Sequence, residues 1–219
     1  MSALSDEPGK FTQRAILVVA VVGGLLSVAS IYSGYRKIQQ AAQSRQAATP
    51  SLETLVRPAP DFRLTDQEGR PVSLADLRGR VWAASFVFTH CQGPCPMITG
   101  HMAELQSKTA DLPDVRLVSF SIDPVRDTPE VLRRYGARFK ADGNRWQFLT
   151  GPEDEMKRVV QGGFLTAWQP VPDSDQVIHG TMVALVDRKG MIRGFLSGTD
   201  PGLAARAAER LRQLHQEKP

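Results

Sequence analysis

Apolar and polar positions fall into distinct blocks along this chain. The first block, Ala15 to Tyr35, carries no charge and is about as long as the ~20 residues that cross a bilayer core. Arg14 stands in front of it and Arg36-Lys37 behind, with Tyr32 and Tyr35 where interfacial aromatics collect. The pattern predicts an uncleaved membrane helix over 15–35, preceded by a short tail of residues 1–14. A cleaved signal peptide is the rival reading. Its apolar region would be shorter, roughly 7 to 15 residues, and would end at small residues, whereas Ala41-Ala42 and Ala47-Ala48 come late for that. Lysines and arginines are slightly more numerous after the run than before it, so the charge rule by itself does not orient the anchor. Residues 36–57 then turn to Gln, Ala, Ser and Arg, and read as a tether or a frayed helical extension.

The later blocks alternate between two periods, over an expected globular domain of residues 58–215 with a four-residue tail, 216–219. Phe62–Thr65 and Pro71–Leu74, separated by Asp66-Gln-Glu-Gly69, predict a hairpin. Ala75–Gly79 predicts one helical turn ended by glycine. Val81–Phe88 is almost continuously apolar and too short for a helix, which suits a strand covered on both faces. Met97, Ile98, Met102 and Leu105 recur at helical spacing, with Pro96 suited to a first turn. Val115–Ile122 is a second strand, and Thr128-Pro129-Glu130 starts a helix with Val131, Leu132, Tyr135 and Phe139 at its apolar positions. Trp146–Leu149 predicts a strand, Gly151 a helix running to Gly162-Gly163, and Thr181–Asp187 with Met191–Leu196 a closing hairpin. Pro201–His215 predicts an amphipathic terminal helix. Strands alternating with helices, with hairpins at both ends, argue a three-layer α/β domain without internal repeats.

Composition narrows this picture. A chain of 219 residues, 42% hydrophobic and 23% charged, suits one packed domain with appendages. The net charge of +4 is spread along the chain, with acids interrupting the arginines, so no nucleic-acid footprint is present.

Candidate chemistry gathers where the first central strand ends, at the two cysteines of the sequence, Cys91 and Cys95. At i and i+4 on the first turn of a helix they would share a face, and the helix amides would favour the thiolates. A disulfide over so small a loop stabilises by only roughly 2 kcal/mol on the entropic estimate. Gln92-Gly93-Pro94 reads as exposed turn rather than core. Both points favour a redox or metal-binding pair over a structural one. Two thiolates leave a metal site incomplete, and the histidines are His90, His101, His179 and His215. His90 would point away from Cys91, His101 lies off the thiol face, and His215 sits in a polar C-terminal stretch. His179 ends the polar loop Val171–Gln176 and directly precedes an apolar strand. If that strand is parallel to the others, its end would lie beside the site, although a lone loop histidine is more often without such a role. The methionines Met97, Met102, Met182 and Met191 are expected to pack the core.

Three strings carry a resemblance: Phe88-Thr-His-Cys-Gln-Gly-Pro-Cys-Pro96, Ser121-Ile-Asp-Pro-Val-Arg-Asp-Thr-Pro129 and Val177-Ile-His-Gly-Thr-Met-Val-Ala-Leu-Val-Asp187. In order and spacing they resemble the Sco/SenC family, membrane-anchored copper proteins of thioredoxin-like fold that help assemble the CuA centre of cytochrome c oxidase. The resemblance covers the chain from about Pro58 to Leu214, and the anchor in front of it matches as well. It implies a thioredoxin-like three-layer fold with an N-terminal β-hairpin, preceded by one transmembrane helix. It also implies Cys91, Cys95 and His179 as ligands of Cu(I), with Cu(II) held when a further ligand joins, and it places the family's acidic loop motif on Asp123 and Asp127. The implied partners are the CuA-bearing oxidase subunit or another copper protein, and a thiol-disulfide reductant. The implied location is the periplasmic side of a bacterial inner membrane. Gln92 and Gly93 stand where family members commonly have proline and aspartate, and some relatives with such loops serve other copper enzymes or act as thiol reductants.

Residue chemistry keeps other readings open beside it. Soft thiolates with an imidazole suit Cu(I), but zinc accepts the same donors. A thiol-disulfide oxidoreductase would use Cys91 to attack and Cys95 to resolve. Such reductases generally have two intervening residues and a proline facing the dithiol, whereas here there are three, and the facing loop offers His179-Gly180. A peroxidase, suggested by Thr89 two residues before Cys91 and by the hairpin, ranks third. Asp127 or Thr128 would cap the helix that Pro129 begins, while Asp123 is placed to orient a ligand or a partner.

Overall fold

A strand whose side chains are all buried on both faces has to lie inside a sheet, and β4 (Val81–Val87) does. The structure, a computed structural model, describes residues 32, 36, 56–171, 174 and 177–217. The chain divides into two units, Met1–Pro50 and Ser51–Pro219. The expected anchor over 15–35 lies outside the described residues except for Tyr32. Among the described residues no helix is long and apolar enough to cross a membrane.

In the second unit β5 (Val115–Ser121) pairs with β4 in parallel, from Val81↔Val115 to Val87↔Ser121, and β6 (Trp146–Leu149) continues the sheet beyond β5. On the other side β9 (Met182–Val186) runs antiparallel to β4, with Trp82 opposite Val186 and Ala84 opposite Ala184. Then come β10 (Met191–Ser197) and the short β1 (Arg57–Pro58), giving the order β1-β10-β9-β4-β5-β6. Asp187 holds the β9–β10 turn by accepting the amides of Lys189 and Met191, both at 2.9 Å. Gly190 takes a φ of +78° there, a conformation that glycine adopts without penalty.

Alternation along β4 divides the core into two. Trp82, Ala84 and Phe86 face one cluster, joined by the hairpin β2 (Arg63–Thr65) and β3 (Pro71–Ser73) through Leu64 and Val72, and by α1 (Leu74–Leu77). Met156, Val159 and Val160 from α4 (Glu153–Lys157) and the π-helical turn Arg158–Gly163 cover the rest of that face. Val81 and Ala83 face the other cluster, built with α2 (Cys95–Lys108), α3 (Pro129–Arg138) and α5 (Leu203–Gln216). Three layers follow. Thr128 caps α3 by accepting the Val131 amide at 3.4 Å.

Four sequence expectations change. The helix expected from Gly151 to Gly163 is α only to Lys157 and widens into a π-turn. β9 is antiparallel to β4 rather than parallel, yet this also brings the start of β9 to the C-terminal end of β4, where the cysteines follow. An unexpected two-stranded ribbon, β7 (Trp168–Pro170) and β8 (Val177–His179), carries His179 opposite Trp168. Its prolines and polar loop hid it from a pattern search. His215 is not in a solvated tail: it lies half-buried on α5, and Arg188 reaches its Nδ1 at 3.0 Å.

Candidate metal and thiol site

The end of β4 unwinds at Phe88 and Thr89, and the chain turns through Cys91–Pro94 before α2 begins at Cys95. Cys95 is therefore the first residue of the helix, and Cys91 belongs to the loop in front of it. The two thiols do not share a helical face, as the i, i+4 spacing suggested. They still converge, because the loop folds back: the Cys91 amide donates to the Phe88 carbonyl at 3.3 Å. Both cysteines are free thiols, Cys91 half-exposed and Cys95 buried. Exposed Gln92 and Gly93 shape this loop, and the Gly93 amide donates to the Cys91 sulfur at 3.3 Å.

His179 arrives from β8. Its ligand atom and those of Cys91 and Cys95 all lie within 4.8 Å of one another. The imidazole Nδ1 is 2.9 Å from the Gly180 carbonyl oxygen. That oxygen can only accept, so Nδ1 carries the hydrogen and Nε2 presents its lone pair to the thiols. The Cys95 sulfur lies 3.2 Å from Nε2, so the neutral thiol donates to the imidazole. Burial lowers the His179 pKa and keeps the ring neutral. The Phe88 ring packs edge-on against it, with centroids 5.8 Å apart.

Burial also decides the state of Cys95. The helix N-terminus was expected to favour its thiolate, but desolvation pushes the Cys95 thiol up, opposed by the Phe88 backbone amide and reinforced by Cys91. A buried thiol within reach of an imidazole holds its proton until a cation displaces it.

The acidic loop forms a brace. Asp127 is buried and accepts the Thr89 hydroxyl at 2.6 Å, the Ser121 hydroxyl at 2.7 Å and the Thr89 amide at 3.3 Å. It is not the helix cap, which is Thr128. It instead ties the loop after β5 to the residue two places before Cys91. Desolvation raises its pKa despite these donors. Asp123 is nearly buried and receives the side chain of Arg126. His101 is turned away to the Gly198 carbonyl at 2.9 Å. His90 is exposed, with its Nδ1 3.2 Å from the Thr89 hydroxyl.

Sequence reasoning missed the support beneath Cys95. The Thr99 hydroxyl donates to the Cys95 carbonyl at 2.8 Å and so must accept from the Tyr135 hydroxyl, also at 2.8 Å. Thr99 lies four residues after Cys95, a spacing that allows this bond, but no local signal points to Tyr135. The methionines divide: Met102 is buried as expected, Met182 is half-buried against the first core cluster, and Met97 is exposed.

Known proteins are similar to this chain in sequence and in fold. The SCO1/SenC family model matches residues 53–216. The SCO1 protein homolog of Bacillus subtilis is 37% identical over 141 residues, covering 64% of this chain and 73% of that protein. A structure of BsSco, described as a member of the Sco family of cytochrome c oxidase assembly proteins with a disulfide switch, superposes with a TM-score of 0.67 at 34% identity. It covers 75% of this chain and 97% of that one. ScoI of Bradyrhizobium japonicum, solved with copper bound, gives a TM-score of 0.62 at 26% identity, covering 72% and 99%.

Proposed function

The chain belongs to the SCO1/SenC family, and from that premise we propose that it is a copper metallochaperone. In this reading Cys91, Cys95 and His179 hold copper, which is cargo rather than a resident cofactor. The carrying observation is the convergence of two sulfurs and one free imidazole nitrogen within 4.8 Å. Two thiolates and an imidazole are soft to borderline donors that suit Cu(I), and a further ligand would accommodate Cu(II). Copper entering the site displaces the Cys95 proton, and His179 Nε2 is already free of hydrogen. Cys95 is buried while Cys91 is half-exposed, so the cargo exchanges on the Cys91 side. The acceptor is the CuA-bearing subunit of cytochrome c oxidase or another copper protein. Residues 15–35 anchor the chain in a bacterial inner membrane, with residues 36–57 as tether and the domain of residues 58–215 on the periplasmic side. Asp127 holds Thr89, and through it the start of the Cys91 loop.

One observation favours a second role beside this. Cys91 is accessible, with an amide on its sulfur, and Cys95 lies buried behind it. That is the arrangement of an attacking and a resolving thiol: Cys91 would displace one sulfur of a target disulfide, and Cys95 would then release the target as a dithiol while the Cys91–Cys95 disulfide forms. Two electrons pass to the target, and two copper ligands are lost here. Copper binding would therefore be gated by the redox state of the pair. The test is copper content of the full reduced chain in detergent, beside Cys91→Ser and Cys95→Ser. About one copper per wild-type chain, and little in either variant, is expected. Equal loading in all three would overturn the reading.

A further inference from the structure

We propose that the end of the domain around Cys91 is a docking face for a partner that offers its copper ligands within an uncharged, apolar surface. This deepens the metallochaperone reading and rests on it. An incoming ligand must come within bonding distance of copper from the Cys91 side, so the partner has to cover the loops that meet there. Three segments form that end. Thr89–Met97 carries the thiols. Ile122–Asp127 is bound to it through the Ile122 amide on the Val87 carbonyl and through Asp127 on Thr89. Phe164–Ala167 is bound to the His179 ribbon through the Gly180 amide on the Ala167 carbonyl at 3.2 Å.

Each segment presents one large apolar side chain to solvent. Met97 is 45% exposed, Val125 75% and Leu165 56%. Among the described residues only Tyr32 and Val56 join them as exposed large hydrophobics. Scattered single cases would need no explanation, but three on the segments that meet at one site do. Leu165 adds an independent sign. Its φ of +56° lies in the left-handed region, where a leucine is rare. Thr166 and Phe164 on either side are buried, so the strained backbone turns out the one residue between them.

The same end is poor in net charge. The chain has a net charge of +4, yet these three segments contain only Asp123, Arg126 and Asp127 as fully charged types. The first two are paired with each other and the third is buried. A face of this kind gives long-range fields nothing to steer. Its complement is an apolar surface without a charge excess, and association with it is insensitive to salt.

The test uses the full copper-loaded chain in detergent and, as acceptor, a reduced, metal-free soluble CuA-bearing domain of an oxidase subunit. Transfer rate is followed against acceptor concentration at low and high salt. The triple variant Met97→Gln, Val125→Thr, Leu165→Asn changes exposed side chains only, and asparagine suits the left-handed backbone. The variant is expected to load copper as the wild type does, but to need about tenfold more acceptor for half-maximal transfer. Wild-type transfer is expected to change little with salt. Unchanged acceptor dependence in the loaded variant, or a steep fall of wild-type transfer with salt, overturns the docking face while leaving the chaperone reading intact. No transfer from the wild type at all overturns the acceptor named above, and this face with it.

Discussion

Asp127 shows how a carboxylate can be placed without being a ligand. Three donors, the Thr89 amide and hydroxyl and the Ser121 hydroxyl, converge on it in a buried site. Removing it leaves the Thr89 amide and the Ser121 hydroxyl without their acceptor, so Asp127→Ala should cost about 2–3 kcal/mol in chemical denaturation. Asp127→Asn keeps an acceptor oxygen and should retain most of that stability. Its raised pKa has a sign as well. The folded state favours the protonated form, so the contribution is fully present below the ordinary carboxyl range and is lost as pH rises through the folded pKa. The Asn variant should lose that part of the pH profile. His179 works in the opposite direction: its pKa is lowered by burial. Stability tied to it is present above about pH 6.5 and falls as pH drops toward the folded value, because only the unfolded chain takes up the proton readily. His179→Ala should flatten the acid limb of a melting-temperature profile below about pH 6.5. These residues differ in legibility. Cys91, Cys95 and His179 stand out by type and setting, whereas Thr99 and Tyr135 are ordinary helix residues until the fold brings their hydroxyls together.

Among the elements, periodicity revealed the long ones and missed those held by single contacts. β4 and β5 are continuous apolar runs, and α5 has an unbroken apolar stripe, so their patterns survive burial. The ribbon β7–β8 has three residues in each strand and a proline at one end, which leaves no period to detect. The π-turn is likewise a packing outcome. A Cβ on Gly163 would come within 2.3 Å of the Pro60 ring, so the turn has to run close to the chain entering the hairpin. Gly163→Ala should therefore destabilise by about 1–3 kcal/mol through overpacking. Because the turn leads into the ribbon that carries His179, the same variant should weaken copper binding, measured as a higher dissociation constant for Cu(I). Cys91 is the instructive error. Spacing alone put it on a helix, but Pro94 and Pro96 bracket the helix start and leave Cys91 outside it. It keeps the proximity to Cys95 that a helix would have given and gains the exposure that exchange needs.

At the scale of the molecule, the sheet brings together residues far apart in sequence. Parallel β4 and β5 deliver the thiol loop and the Asp123–Asp127 loop to one end, and antiparallel β9 begins at that same end, with His179 just before it. The direction of β9 could not be read from its residues, since an apolar strand fits either orientation. The setting of His179 before an apolar strand made it a candidate, and the resemblance of its flanking string made it an expected ligand. The buried, protonated Cys95 makes binding a proton exchange, so apparent copper affinity should rise with pH across the neutral range, by up to about tenfold per unit for one proton released. The most direct measurement is an anaerobic titration of the reduced full chain with Cu(I) against a competing chelator, beside His179→Ala. The account predicts one Cu(I) per wild-type chain and an affinity at least about tenfold lower in the variant, equivalent to about 1.4 kcal/mol. Equal affinity in the two proteins, with disulfide reduction of insulin undiminished, would contradict it.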